Sequence, residues 1–267
     1  MNYGSLMIIG GAEDKKNDCE ILKEVVNKAN VRKGSIALLT AATNLAEEVI
    51  KDYRETFKKL GFNNIQVVDV NHRVDANNLD YCNILSSCAC IFFTGGDQLK
   101  ITSLMGGTPL YDSLKNAFNK GTLIVGTSAG ASCLCSTMIV SGIEQDSPRK
   151  CTIKMAPGLD IIRGVLIDQH FAQRGRIGRL LNAVAQNPGI LGIGIDENTA
   201  VVFEEKSTFN ILGSGAVTIV DGRSISFTNV SELSPDELLA ITDIKIHILP
   251  RGYCYDVETN LTILKKN

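Results

Sequence analysis

The sequence predicts an α/β fold: a mostly parallel sheet with helices on both faces, followed by a C-terminal antiparallel extension. Three observations carry this. Short apolar runs alternate with amphipathic helical stretches as far as Ala200. Those runs read as strands buried on both faces, which is how parallel sheets are built. Beyond Ala200 the helices give way to short strands separated by turns.

Leu6–Ile9 is the first strand and runs into Gly10-Gly11. Asp18 precedes a helix with Ile21, Leu22, Val25 and Val26 on one face. Ser35–Leu39 is the second strand, and Glu47–Leu60 is a helix that Gly61 stops. Ile65–Val70 and Cys88–Phe93 are the next strands, the latter running into Thr94-Gly95-Gly96. Leu110–Lys120 is a helix stopped by Gly121, and Leu123–Gly126 is the fifth strand. A similar unit follows in the same sheet: strand Val165–Ile167, helix Arg176–Gln186, strand Leu191–Ile195. In that helix Ile177, Leu180, Leu181 and Val184 are expected to face inward. Ala200–Phe203, Phe209–Leu212, Ala216–Val220, Lys245–Leu249 and Leu261–Leu264 then read as antiparallel strands extending the sheet. No repeat, low-complexity tract or linker interrupts the chain, so residues 1–267 are expected to form one domain.

Composition narrows the function. Apolar residues make up 44% and charged residues 21%, and the formal charge is -2. That balance argues against nucleic acid as a partner. The start of the chain, Met1–Lys16, reads as a first strand rather than a signal peptide, and no apolar run reaches the ~18 residues needed to span a bilayer. A cytoplasmic protein without a membrane partner is expected. Its eight cysteines are then reduced core residues. Cys88/Cys90 and Cys133/Cys135 are spaced unlike zinc ligands, and only three histidines are present, so neither metal nor cofactor is expected.

Five glycine-rich or polar segments follow strands: Gly10-Gly11, Gly95–Gln98, Gly126–Gly130, Asp168–His170 and Asp196–Asn198. In open α/β sheets such strand ends carry the ligand site. Gly126-Thr127-Ser128-Ala129-Gly130 lies between a strand and a helix expected over Ala129–Leu134, the context of a nucleophile elbow. A plain reading is a glycine-rich turn that packs a helix or holds a phosphate. A serine nucleophile needs a base. His170 lies at a polar strand end, whereas His72 reads as a loop residue and His247 as a structural one. The base needs an acceptor, for which Asp196 and Glu197 both stand after the next strand. The order Ser, His, acid disfavours ordinary lipases and esterases. Oxyanion donors are expected from the N–H of Ala129 and from the turn at Gly96 and Asp97. Arg174, Arg176 and Arg179 read as a solvated helix face or as carboxylate binders.

Taken together, Gly10–Lys15, Thr40–Thr43, Phe93–Gln98, Gly126–Ala131, Asp168–Phe171 with Arg174–Arg179, and Gly194–Ala200 resemble the cyanophycinase family of serine peptidases, in order and across nearly the whole chain. The resemblance implies a fold like that of class I glutamine amidotransferases, a flavodoxin-like arrangement. It implies exopeptidase cleavage of cyanophycin, a poly-aspartate backbone with arginine on each β-carboxyl, to β-Asp-Arg dipeptides. It makes Ser128 the nucleophile, His170 the base and Glu197 the third member, with Asp196 the lesser choice. Gln98, Asp168, Gln169, Arg174, Arg176 and Arg179 match positions that line the substrate pocket. On that reading the arginines bind substrate carboxylates, Asp168 or another acid meets the guanidinium, and loss of Arg179 harms activity more than stability. Asn198 stands where the family often has an acid. An α-aspartyl dipeptidase with the same triad, a binding protein of the same fold and a glutaminase are the competing readings, the last weakened by serine in place of cysteine. A homodimer is left open.

Overall fold

The computed structural model describes residues 5–41, 43, 45–203 and 207–264. Met1–Gly4 and Ala42, which belong to stretches read above, lie outside the described residues.

The first half alternates strand and helix as expected, with two helices, Leu79–Ser87 and Gln98–Met105, that were not foreseen. Strand β1 (Leu6–Ile9) leads to helix α1 (Glu20–Arg32), β2 (Ile36–Thr40), α2 (Ala46–Lys59) and β3 (Ile65–Asp69). A short 3-10 turn leads to α3 (Leu79–Ser87), β4 (Cys90–Phe93), α4 (Gln98–Met105), α5 (Pro109–Asn119) and β5 (Leu123–Thr127). Every residue of β1, β2, β4 and β5 is buried, because helices cover both faces of these strands. On one face Met7, Ile9, Phe92 and Val125 pack against Leu22 and Val26 of α1 and Phe57 of α2. On the other, Ile8, Phe93 and Ile124 share a core with Leu85 of α3 and Leu114 of α5.

A four-residue helix, α6 (Ala129–Ser132), follows β5 and is shorter than the stretch expected. The hairpin β6 (Thr137–Gly142) and β7 (Ile153–Pro157) was not foreseen. Then come β8 (Val165–Gln169), α7 (Ile177–Gln186), β9 (Leu191–Ile195), β10 (Thr199–Phe203), β11 (Thr208–Gly213) and β12 (Ala216–Asp221). Two short strands, β13 (Phe227–Thr228) and β14 (Ile241–Thr242), precede β15 (Lys245–Pro250), β16 (Tyr253–Asp256) and β17 (Leu261–Leu264).

Sheet membership differs from the expectation in one respect. The large sheet has nine strands in the order β17-β16-β11-β10-β1-β5-β4-β2-β3. Its five strands β1 to β5 are parallel, and β10, β11, β16 and β17 extend it antiparallel. The strands β8, β9, β12 and β15 instead form a second sheet in the order β15-β12-β9-β8. The chain crosses between sheets within residues 196–198, where Asn198 adopts φ +48°. An apolar run reports that a strand is buried, not which strands it pairs with.

Helix α7 also corrects the sequence reading. Ile177 is exposed, while Gly178, Arg179, Leu180, Asn182, Ala183, Val184 and Ala185 are buried. The helix is enclosed on most of its circumference, and two polar side chains go inward with the apolar ones.

Candidate active site

The strand ends β1, β5, β8 and β9 converge on one place. Ile9 of β1 lies beside Thr127 of β5, and Gln169 of β8 beside Ile195 of β9. Ser128 joins β5 to α6 with φ +54° and ψ -119°, a strained conformation for a residue with a side chain. Glycine is required two residues before it: a Cβ on Gly126 would lie 2.2 Å from the Gly130 carbonyl oxygen.

Ser128 Oγ lies 3.0 Å from His170 Nε2, and His170 Nδ1 lies 2.6 Å from Glu197 Oε1. With Nδ1–H donating to Glu197, Nε2 is the acceptor that faces the serine hydroxyl. Asp196 cannot take this role. Its Oδ1 accepts from the Ala172 N–H and its Oδ2 from the Ala216 N–H, both at 3.0 Å. It ties the turn after β9 to its surroundings. Asn198, on the far side of Glu197, accepts from the Asp14 N–H at 2.9 Å and donates to Ser214 Oγ at 3.0 Å.

Ala129 opens α6, so its N–H has no acceptor within the helix. The turn after β4 passes over the serine: a Cβ on Gly95 would lie 3.5 Å from Ser128 Cβ. Gly96 and Asp97 continue that turn, and the Asp97 carboxylate caps α4 by accepting from the Leu99 and Lys100 N–H groups.

Several residues expected to line a pocket have other partners. Gln98 donates through Nε2 to the carbonyls of Ile139 and Val140, both at 2.9 Å, and so anchors β6 to α4. Gln169 brings Oε1 to 3.5 Å from Ser128 Oγ. Asp168, Arg176 and Arg179 are 1%, 4% and 7% exposed. Arg179 grips Asp168 in a two-pronged pair, with Nε donating to Oδ2 at 2.6 Å and Nη2 donating to Oδ1. Arg176 donates through Nη1 to the Gln169 carbonyl at 2.5 Å and through Nε to Glu144 Oε1 at 3.0 Å. Asp168, Arg176 and Arg179 thus pair with one another and with the Gln169 carbonyl and brace the strand end before His170; a substrate role for them stays a proposal. Arg174 is the exposed member, with Nη1 at 3.8 Å from Glu144 Oε1.

The profile of peptidase family S51 matches residues 6–211. The chain belongs to peptidase family S51. It is a serine peptidase. The cyanophycinase of Synechococcus elongatus is 38% identical over 258 residues, covering 96% of this chain and 80% of that one. The cyanophycinase of Geminocystis herdmanii is 37% identical over 257 residues, covering 96% and 94%. Among solved structures, a peptidase from an acI-B1 actinobacterium shares the fold with a TM-score of 0.66 at 22% identity, covering 92% of this chain and 97% of its own.

In this S51 chain two residues at the site carried no sequence signal. Glu144 lies in the loop between β6 and β7, beside Arg174, Arg176 and Arg179. Burial raises its carboxyl pKa, but the hydrogen bond and charge of Arg176, with the charges of Arg174 and Arg179, outweigh this and hold it below the usual carboxylate range. Gln173 accepts from the Glu197 N–H at 3.0 Å and fixes the backbone of the acid that faces His170. A lone acid or amide in a loop has no periodicity to reveal it; only the fold brings it to its partner. Among the described residues no group of three or more His, Cys, Asp or Glu side chains is placed to hold a metal ion. Among them no helix is long and apolar enough to cross a membrane.

Proposed function

We propose that this S51 peptidase is a cyanophycinase that acts in the cytoplasm and cleaves the aspartyl backbone of cyanophycin from an end, releasing β-Asp-Arg. The observation that carries the reading is the continuous relay of Ser128, His170 and Glu197 at 3.0 Å and 2.6 Å. The high identity to cyanophycinases over most of the chain supports the substrate.

Ser128 Oγ bonds to the carbonyl carbon of the scissile peptide while its proton passes to His170 Nε2. The Glu197 carboxylate stabilises the imidazolium so formed. The negative charge on the former carbonyl oxygen meets the N–H of Ala129 and N–H groups of the Gly95–Asp97 turn. Loss of one such donor costs about 3 kcal/mol of transition-state stabilisation. The C–N bond then breaks, and His170 returns the proton to the leaving amine. Water, deprotonated by His170, attacks the acyl-enzyme, and the carboxylate product leaves Ser128 with its proton restored.

The test is release of soluble β-Asp-Arg from the insoluble branched polymer, with plain poly-aspartate alongside. The dipeptide is expected from the branched polymer, and poly-aspartate is expected to be a very poor substrate. Equal hydrolysis of the two, or no dipeptide, overturns the proposed specificity.

A further inference from the structure

The segment after β1 was singled out in the sequence, yet the peptidase chemistry does not use it. It touches every part of the relay. Three consecutive carbonyls accept from the three segments that carry the triad. Ile9 takes the Ser128 N–H at 3.1 Å, Gly10 the His170 N–H at 2.8 Å, and Gly11 the Asn198 N–H, next to Glu197, at 2.9 Å. All three donors have positive φ: +54°, +48° and +48°. Such conformations persist only where the surroundings over-determine them. Gly11 also lies flat against the imidazole, since a Cβ there would sit 2.4 Å from His170 Cε1.

One charged side chain of this segment is buried. Glu13 is 5% exposed. Its Oε2 accepts from Thr127 Oγ1 at 2.7 Å, and its Oε1 accepts from the Tyr53 hydroxyl. A buried carboxylate is costly unless hydrogen-bonded, and hydroxyl donors to a charged oxygen form strong bonds. Burial first, then the charge and hydrogen bond of Glu13, push the Tyr53 hydroxyl well above its ordinary pKa, so Tyr53 keeps its proton and stays a donor. Thr127 is the residue immediately before Ser128.

We propose that residues 9–14 are the template that sets the catalytic relay, and that Glu13 is the positioning residue clamping this template to the nucleophile's strand through Thr127. The proposal rests on Ser128, His170 and Glu197 being the catalytic triad. Glu13 touches no reacting atom. It acts by fixing the residue that precedes the strained serine.

The test uses Glu13→Ala, Glu13→Gln and Thr127→Val in the full chain. Turnover and the rate of Ser128 labelling by a serine-reactive phosphonate are measured well below each variant's thermal midpoint. Glu13→Ala and Thr127→Val are expected to lower kcat about 10- to 100-fold with KM changed less than about twofold, because small misplacements of a reacting group have effects of that order. The labelling rate is expected to fall in the same proportion. Glu13→Gln keeps an acceptor for the Thr127 hydroxyl and is expected to recover most of both rates. If the midpoint drops while kcat and labelling stay within about twofold of the parent, Glu13 holds only the fold and the proposal is wrong. Should Glu13→Ala fail to fold, Thr127→Val decides by the same two readouts. Failure of the underlying triad would show separately, as a Ser128→Ala protein that still turns over.

Discussion

Ser128 and His170, 3.0 Å apart, are proposed to act as one unit in turnover. Ser128→Ala and His170→Ala are each expected to remove nearly all activity, and the double variant to be little worse than either, since each step needs both groups. Steady-state rates with far-UV dichroism as a check on folding decide this; a Ser128→Ala enzyme with most of its turnover overturns the mechanism. The two neighbouring acids should separate cleanly. Glu197→Gln removes the charge that stabilises the imidazolium and should lower kcat strongly. Asp196→Asn puts an amide donor against the Ala172 or Ala216 N–H, and should lower stability by about 1–3 kcal/mol with a smaller effect on kcat. The serine and the histidine were legible in the sequence because each stands where an apolar strand runs into small or polar residues. The choice between Asp196 and Glu197 came only from the family resemblance, since the two residues read alike by position. It depends on the turn at Asn198, which points one carboxylate at His170 and the other at backbone N–H groups.

At the level of elements, the arginines of the Arg174–Arg179 segment show what residue type alone leaves out. Three arginines near His170 suggest anion recognition by residue type alone. The fold turns Arg176 and Arg179 inward, and α7 buries Arg179 against Asp168. Removing one partner of a buried pair leaves the other charge uncompensated. Arg179→Ala is therefore expected to destabilise the protein by about 3–5 kcal/mol, measured by urea unfolding, contrary to the expectation of little stability loss. A change under about 1 kcal/mol would mean that Asp168 is solvated once the arginine is gone. Two turns are expected to contribute to stability in acid. Backbone N–H groups of Asn17, Lys16 and Cys19 hold Asp14 at about 2. Asp256, the last residue of β16, is held at about 2 chiefly by the Thr259 N–H in the turn that follows. Both folded values lie below the unfolded one, so this stabilisation is complete above the ordinary carboxylate range near 4 and is lost as the pH falls toward about 2. Thermal midpoints should drop over that window, and Asp14→Asn and Asp256→Asn should each flatten the drop. An unchanged profile in both variants would show that these turns do not govern acid unfolding.

Across the whole molecule, the parallel strands β1 to β5 and helices α1, α2 and α5 were legible, the strands because burial on both faces leaves continuous apolar runs such as Cys90–Phe93. The second sheet was not, because β8 and β9 are buried like the parallel strands and β12 alternates like β11, so sheet membership rests on non-local pairing. The cysteines follow the same layering. Seven of the eight are buried and Cys151 alone is exposed. Burial pushes Cys88 and Cys135 up to about 12, and holds Cys90 and Cys133 well above the ordinary thiol value. A buried thiol with so little thiolate is a poor nucleophile toward an alkylating reagent. Cys133 lies close to Ser128 in sequence, but it is enclosed behind α6 with its Sγ on the Gly130 carbonyl, so it does not compete for the substrate. Iodoacetamide on the folded protein is thus expected to give one adduct, at Cys151, with full peptidase activity retained, whereas the urea-unfolded chain takes up reagent at the buried positions as well. Mass spectrometry of the digested protein and an activity assay on the same sample read both outcomes. Activity that falls in step with alkylation of Cys133 would assign the chemistry to a thiol and overturn the serine relay.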